Sequence, residues 1–286
     1  MTKAMAGKGL PRTRSGVGTG FPSDIAPTKK LVLSRRRFLA GFVPAAGAFA
    51  LAGCDDLSRT PGFRNFLSSA EELTQSVQRF FLSPASLARE FDEADMSPEF
   101  RANGSTDPDD PDYRAHVANG FADWRLSVGG LVARPGEFSL ADLRAMPSRT
   151  QITRHDCVEG WSCIGKWKGV QLAGVLNRVG LKPEAKFIVL TCADMLEKTL
   201  DGSGRYYESI GLEDAFHPQT ILAYDMNDQI LPVAHGAPIR LRVERQLGYK
   251  MAKYVMKIDA VDSLAALGRG MGGFWPDRGY EWYAGI

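Results

Sequence analysis

The sequence predicts an α+β fold. Short alternating strands and short helices follow one another without the regular strand–helix repeat of a doubly wound sheet. No Gly-x-Gly-x-x-Gly opens a helix after a strand, which argues against a dinucleotide site, and no internal repeat is present. The composition, 44% hydrophobic and 24% charged over 286 residues, is that of an ordinary globular chain. A formal net charge of +2, with no Lys/Arg run interleaved with aromatics, gives no argument for a nucleic-acid partner.

The elements follow in order. Residues 1–33 are polar and rich in Gly, Pro, Lys and Arg, with no apolar period. Ser34-Arg35-Arg36-Arg37-Phe38-Leu39-Ala40 then leads into an Ala-rich apolar run ending at Gly53. A basic patch before a short apolar stretch is the pattern of an export leader, and the run is short for a bilayer span. The paired arginines resemble a twin-arginine signal, and Leu51-Ala52-Gly53-Cys54 resembles a lipobox whose cysteine becomes the lipidated N-terminus. Residues 1–54 are therefore expected to be a leader, 55–96 an N-terminal helical segment and 97–286 the main domain.

In 62–82, Phe63, Phe66, Leu67, Leu73, Val77, Phe80 and Phe81 recur at helical spacing, predicting an amphipathic helix. Residues 83–112 are polar and broken by prolines, and read as a wandering segment. Trp124, Leu126 and Val128 alternate as a strand. Ser139 caps a short helix that Pro147 ends, and 150–153 is a strand leading into Arg154-His155-Asp156-Cys157-Val158-Glu159-Gly160-Trp161-Ser162, with a helix expected after it. A helix over 170–179 stops at Gly180. Residues 187–190 form a strand, 211–216 a short helix and 220–224 a strand that turns back through 226–229. Residues 239–243 and 253–258 alternate as the last strands.

Taken alone, Cys157 allows three readings. As a zinc ligand it lacks partners at the usual spacings. As a nucleophile it has His155 two residues away, on the same face of a strand. As a buried thiol it would simply pack. The chain has four cysteines, so loss of Cys54 to a lipid would leave an odd number, Cys157, Cys163 and Cys192, and at least one thiol unpaired by any disulfide.

Cys157-Val158-Glu159-Gly160-Trp161-Ser162, with Trp167-Lys168-Gly169-Val170, resembles the metal-site stretch of the sulfite-oxidase-fold molybdoenzymes. The likeness is to their bacterial periplasmic methionine-sulfoxide reductase branch. It continues in His235-Gly236-Ala237-Pro238-Ile239-Arg240 and in Leu247-Gly248-Tyr249-Lys250-Met251-Ala252-Lys253, and spans residues 97–262. The resemblance implies a sulfite-oxidase-like fold and a Mo-molybdopterin cofactor, with Cys157 as the metal thiolate. Arg240 and Lys253 would hold its phosphate, with backbone amides at Met251 and Ala252. It also implies pterin contacts from Arg101, Asn103, Thr191 (or Cys192 one residue on) and His235, which stands where that branch usually has asparagine. Tyr206 matches an active-site tyrosine, and His155, with Arg154, Asp156 and Glu159, is a candidate for substrate handling.

The expectation is therefore a molybdenum-dependent oxidoreductase of the cell envelope that reduces S- or N-oxides, small or protein-bound. Its electrons would come from a membrane or periplasmic partner, a cytochrome or a quinone-linked protein. The alternatives are a sulfite dehydrogenase working oxidatively and a cofactor-less binding lipoprotein of the same fold. A monomer is expected, since no immunoglobulin-like dimer domain follows.

Overall fold

The computed structural model describes residues 86–199 and 202–286, together with Ser76 and Ser83. The leader at 1–54, Cys54 and nearly all of the helix expected over 62–82 lie outside the described residues. Among the described residues, no helix is long and apolar enough to cross a membrane.

Two sheets carry the fold, the first mixed and the second antiparallel throughout. In the first, β1 (Arg125–Gly130) pairs in parallel with β10 (Val255–Val261) and antiparallel with β2 (Gly136–Ser139). β5 (Phe187–Met195) pairs antiparallel with β10 and with β6 (Arg205–Gly211), giving the order β2-β1-β10-β5-β6. In the second, β3 (Ser148–Cys157), β4 (Trp161–Gln171), β7 (Ile221–Met226) and β8 (Gln229–Ile230) follow one another, and β9 (Arg240–Arg242) pairs with β7. The helices are α1 (Pro111–Ala118), α2 (Leu140–Ala145), α3 (Leu172–Val179) and α4 (Leu212–Ala215). This is the α+β architecture the sequence predicts.

The main core lies where the sheets and α3 meet. Leu172, Val175, Leu176 and Val179 fall on one face of α3 and are buried with Trp124, Leu126, Leu190 and Ile258. Burying each such side chain contributes roughly 1.5–3 kcal/mol. Gly180, at φ 70°, stops the helix, and Ser139 with Asp142 makes a reciprocal capping box on α2.

The segment after Cys157 departs from expectation. It is a strand, not a helix: β3 turns at Val158–Gly160, with Gly160 at φ 85°, and returns as β4 in register from Cys157↔Trp161 to Ser148↔Val170. Its alternation was hidden because two inward positions are glycines. A methyl group at Gly165 would lie 2.9 Å from the Phe100 ring, and one at Gly169 would lie 2.2 Å from the Leu222 carbonyl oxygen. The stretch read as wandering contains α1, whose start is marked by Pro111 and by Asp110 accepting from the Tyr113 amide at 2.9 Å. The 170–179 helix begins at Leu172, and the strand expected over 187–190 runs on to Met195. Residues 226–229 turn as expected, with Asn227 and Asp228 both at positive φ.

Because the β4–β7 contact leaves no room at Gly169, Gly169→Ala should lower the unfolding free energy by about 1–3 kcal/mol. A shift in the denaturant midpoint measures this, with Gly136→Ala, where nothing lies within 4 Å, as the weakly perturbing control.

Candidate active site

The ends of β3, β5 and β6 and the turn after β9 surround a cleft of about 140 Å³. Cys157, Asn103, Asp194, Tyr206, Met251 and Lys253 line its inner part; Val158, Glu159, Leu196, Tyr249, Trp275 and Tyr280 line the rest.

Cys157 ends β3, where the inward alternation of Thr153 and His155 delivers it to the cleft. Burial pushes its thiol pKa up, against the Glu159 backbone N–H that favours the thiolate. An unassisted Cys157 is therefore a protonated, weakly nucleophilic thiol, and a bound cation is what would hold it as thiolate. His155 does not serve as its base. It is fully buried, with Nδ1 3.0 Å from Nη1 of Arg242 and 3.2 Å from Sδ of Met251. A guanidinium only donates, so Nδ1 accepts and the assigned proton sits on Nε2. Burial first, then Arg242 and Arg240, hold the ring's pKa well below its ordinary value. Nε2 faces Gly248, where a methyl group would lie only 2.4 Å away. His155 thus packs beneath the turn Gly248–Lys250 and shapes the cleft floor.

Tyr206 is likewise occupied. Its hydroxyl donates to the Tyr249 carbonyl, and burial pushes its pKa well up. The same turn is held a third time by the fully buried pair of Lys250 Nζ and Glu208 Oε1, 2.6 Å apart. The Met251 and Ala252 amides already donate to the carbonyls of Gly248 and Lys250, so the Lys253 side chain carries more of this segment's binding capacity than those amides do.

The cations are the informative groups. Arg240 has no exposed surface and, among the described residues, no carboxylate within salt-bridge distance. Its Nη1 and Nη2 donate to the carbonyls of His235 (3.1 Å) and Met251 (3.3 Å), its plane lies over Trp167, and its Nε has no partner. Burial and neighbouring Arg242 bring its pKa to about 9. Arg242, by contrast, is neutralised by Glu244 at 2.5 Å. Lys253 donates only to the carbonyls of Ser105 and Ala234, and burial, with Arg240, lowers it to about 7. Gly236, at φ 111°, lets Arg240 and Lys253 approach: a methyl there would lie 3.2 Å and 2.9 Å from their Cβ atoms. His235 borders this pair with Nδ1 unpartnered, its pKa lowered to about 4 by burial, Arg240 and Lys253.

Of the other buried acceptors without a partner, Asn103 Oδ1 and Asp194 Oδ1 belong to residues that line the cleft. Buried polar groups are ordinarily satisfied, so this set gathered at the cleft is suited to bonding a ligand. A ligand with an anionic end would suit Arg240 and Lys253, its N–H groups would suit Asn103 and Asp194, and a soft metal would suit Cys157. A molybdopterin carries a phosphate, a pterin ring and a dithiolene-bound metal, and these residues fit it.

Not every expected residue is in the cleft. Thr191 faces the opposite side of β5, in a groove with Val189, Tyr207 and Asp259. Strand alternation instead turns Cys192 into the core and Asp194 into the cleft. Arg101 is a rim residue, 65% exposed, stacked on Trp161 at 5.3 Å and 4.0 Å from Glu159. Arg154 and Asp156 pair with each other at 2.9 Å beside a different groove. Asp194 lies past the end of the strand expected over 187–190, so the sequence carries no signal that places it in the cleft.

The sequence profile of a family described as an oxidoreductase molybdopterin binding domain matches residues 114–265. The chain belongs to this molybdopterin-binding oxidoreductase family. It is an oxidoreductase with Mo-molybdopterin as cofactor. A putative protein-methionine-sulfoxide reductase subunit of Azospira oryzae is 34% identical over 252 residues, 88% of each chain. The protein-methionine-sulfoxide reductase catalytic subunit of Xanthomonas axonopodis is 30% identical, over 85% of this chain and 75% of that one. The sulfane dehydrogenase SoxCD of Paracoccus pantotrophus overlaps 49% of this chain and 39% of its own, at 26% identity and a TM-score of 0.44.

Burial raises the Asp194 pKa from 3.8 to about 6. The folded state therefore keeps this proton to higher pH than the unfolded state, so the stabilisation is present below about pH 4 and is lost as pH rises through 6. In protein prepared without cofactor, Asp194→Asn should melt above the wild type at pH 7. The gap, on the order of 1–3 kcal/mol, should close near pH 4 in a thermal series.

Proposed function

We propose that this chain is an envelope reductase that removes the oxygen atom from a sulfoxide, with an N-oxide as the chemically nearest alternative substrate. One observation carries the reading. Among the described residues, the lining of the cleft beside Cys157 holds one cation, Lys253, already tied to two carbonyls, alongside the carboxylates of Asp194 and Glu159, with Arg101 at the rim. Most of its remaining wall is apolar or aromatic: Val158, Leu196, Tyr249, Met251, Trp275 and Tyr280. With Lys253 tied to two carbonyls and the rim Arg101 4.0 Å from Glu159, the described lining leaves no uncommitted cation for a sulfite anion, whereas a neutral sulfoxide needs none. The names of the Azospira and Xanthomonas relatives support the same reading.

In this reading Cys157 ligates the metal, Arg240 and Lys253 hold the cofactor's phosphate, and Asn103, Asp194 and His235 bond its pterin. The bound cofactor supplies the two-electron oxygen-transfer chemistry. The protein excludes water with its apolar wall, keeps His155 neutral beneath the floor and fixes the 248–251 turn through Tyr206 and Lys250. Overall the sulfoxide gains two electrons and two protons and leaves as thioether and water. The electrons come from a membrane or periplasmic donor, a cytochrome or a quinone-linked protein. The basic-then-apolar leader supports export, and Leu51-Ala52-Gly53-Cys54 supports a lipid anchor at Cys54, which mass spectrometry of the mature N-terminus tests.

The deciding experiment is metal analysis of the exported protein with steady-state assays on sulfite and on sulfoxides. Molybdenum near one equivalent with sulfoxide reduction is expected; sulfite-dependent reduction of an acceptor without sulfoxide turnover would overturn the proposal. Cys157→Ala should lower kcat on sulfoxide by about a hundredfold or more while the protein stays folded by circular dichroism. Arg240→Met should lose bound pterin, read by fluorescence of the released cofactor.

A further inference from the structure

One wall of the cleft is built by a segment that the family match does not include. Trp275 and Tyr280 lie beyond residue 265, yet both face the space next to Cys157. Their rings lie 5.2 Å apart at 45°. The pair is keyed to the cleft interior from both sides. Tyr280 packs edge-on against Tyr249 at 5.3 Å, and Trp275 meets Phe274 at 5.3 Å, which in turn meets Tyr206 at 5.7 Å. Tyr280 is 37% exposed, so the wall runs from the mouth inward.

The segment is held rigidly. Tyr249 donates to the Glu281 carbonyl at 2.6 Å, and Trp282 Nε1 donates to Ser209 Oγ at 2.8 Å. Gly273 lies directly against the buried Glu208 carboxylate, where a methyl group would sit 2.4 Å from Oε1. Its charged side chains turn elsewhere: Asp277 accepts from Tyr207 at 2.5 Å, and Arg278 pairs with Glu197 at 2.5 Å. The wall therefore brings aromatic surface to the cleft and no charge from Asp277 or Arg278. Such a surface suits a polarisable sulfur on a slender apolar arm, since sulfur and methyl groups pack favourably on ring faces and edges. A preorganised wall gives up little freedom on binding.

We propose that Trp275 and Tyr280 are specificity-determining residues that grip the arm on which the sulfoxide is carried, selecting a methionine-sulfoxide side chain over a compact sulfoxide. The proposal rests on the sulfoxide-reductase reading above. The test uses the loaded enzyme with two substrates, a neutral peptide bearing one central methionine sulfoxide and dimethyl sulfoxide. In Trp275→Ala and in Tyr280→Ala the ratio of kcat/KM for peptide over dimethyl sulfoxide should fall about tenfold, through the KM of the peptide. The conservative Trp275→Phe and Tyr280→Phe should restore most of it. A ratio that stays within about twofold of the wild type overturns the proposal, since a merely structural role would affect both substrates alike. A second readout needs no turnover: titrating wild-type protein with the peptide should change tryptophan fluorescence, and Trp275→Phe should abolish that change. The same change persisting in Trp275→Phe overturns the proposal even if the alanine variants do not fold. If the wild type reduces neither sulfoxide, the sulfoxide-reductase reading fails, and the titration alone still decides whether the wall touches the arm.

Discussion

Arg240 is a guanidinium with no exposed surface and, among the described residues, no carboxylate within salt-bridge distance. A buried cation left without an anion is among the most costly groups a fold can keep, and the surrounding structure shows how this one is tolerated. Two carbonyls and the face of Trp167 surround it, its pKa is pulled down, and Lys253 is drawn close through the gap at Gly236. The same sheet places Arg242 two residues on, but that one is matched by Glu244. The contrast between a neutralised and an unneutralised arginine on one short strand distinguishes a structural pair from a binding group.

The turn at Gly248–Lys250 is the second shared dependency. His155 supports it from below, Tyr206 bonds its Tyr249 carbonyl, and Lys250 anchors it to Glu208. Two residues whose types suggest proton transfer, a histidine and a tyrosine, are thus committed to positioning. Their side chains set where Met251 and Lys253 stand in the cleft, and through them where the reacting end of a ligand would lie. Chemistry at this site is left to the cofactor, and the protein's part is placement.

Much of this was legible in the sequence. Cys157, Asn103, Arg240 and Lys253 stand out in short runs of sequence, and the fold brings Cys157, Asn103 and Lys253 to one cleft with Arg240 buried near Lys253. Positions that depend on which face of a strand points inward were less readable. Thr191 and Asp194 are three residues apart on β5 and face opposite ways, and the strand expected over 187–190 stops short of both. Gly165 and Gly169 blanked two inward positions of β4, since packing from Phe100 and Leu222 left no space for a side chain that would have shown the alternation. In α1 only Tyr113 is buried, so there was no apolar period to find and only the capping Asp110 and Pro111 marked it.

The burial of Arg240 also has a kinetic side. A group with no exposed surface exchanges a partner with solvent only after the packing around it opens locally. Dissociation of an anion held there is then limited by a local opening of the fold, and its residence time is governed by that opening free energy more than by its contact affinity. Retention of an anion there would thus be built into the packing around a single side chain.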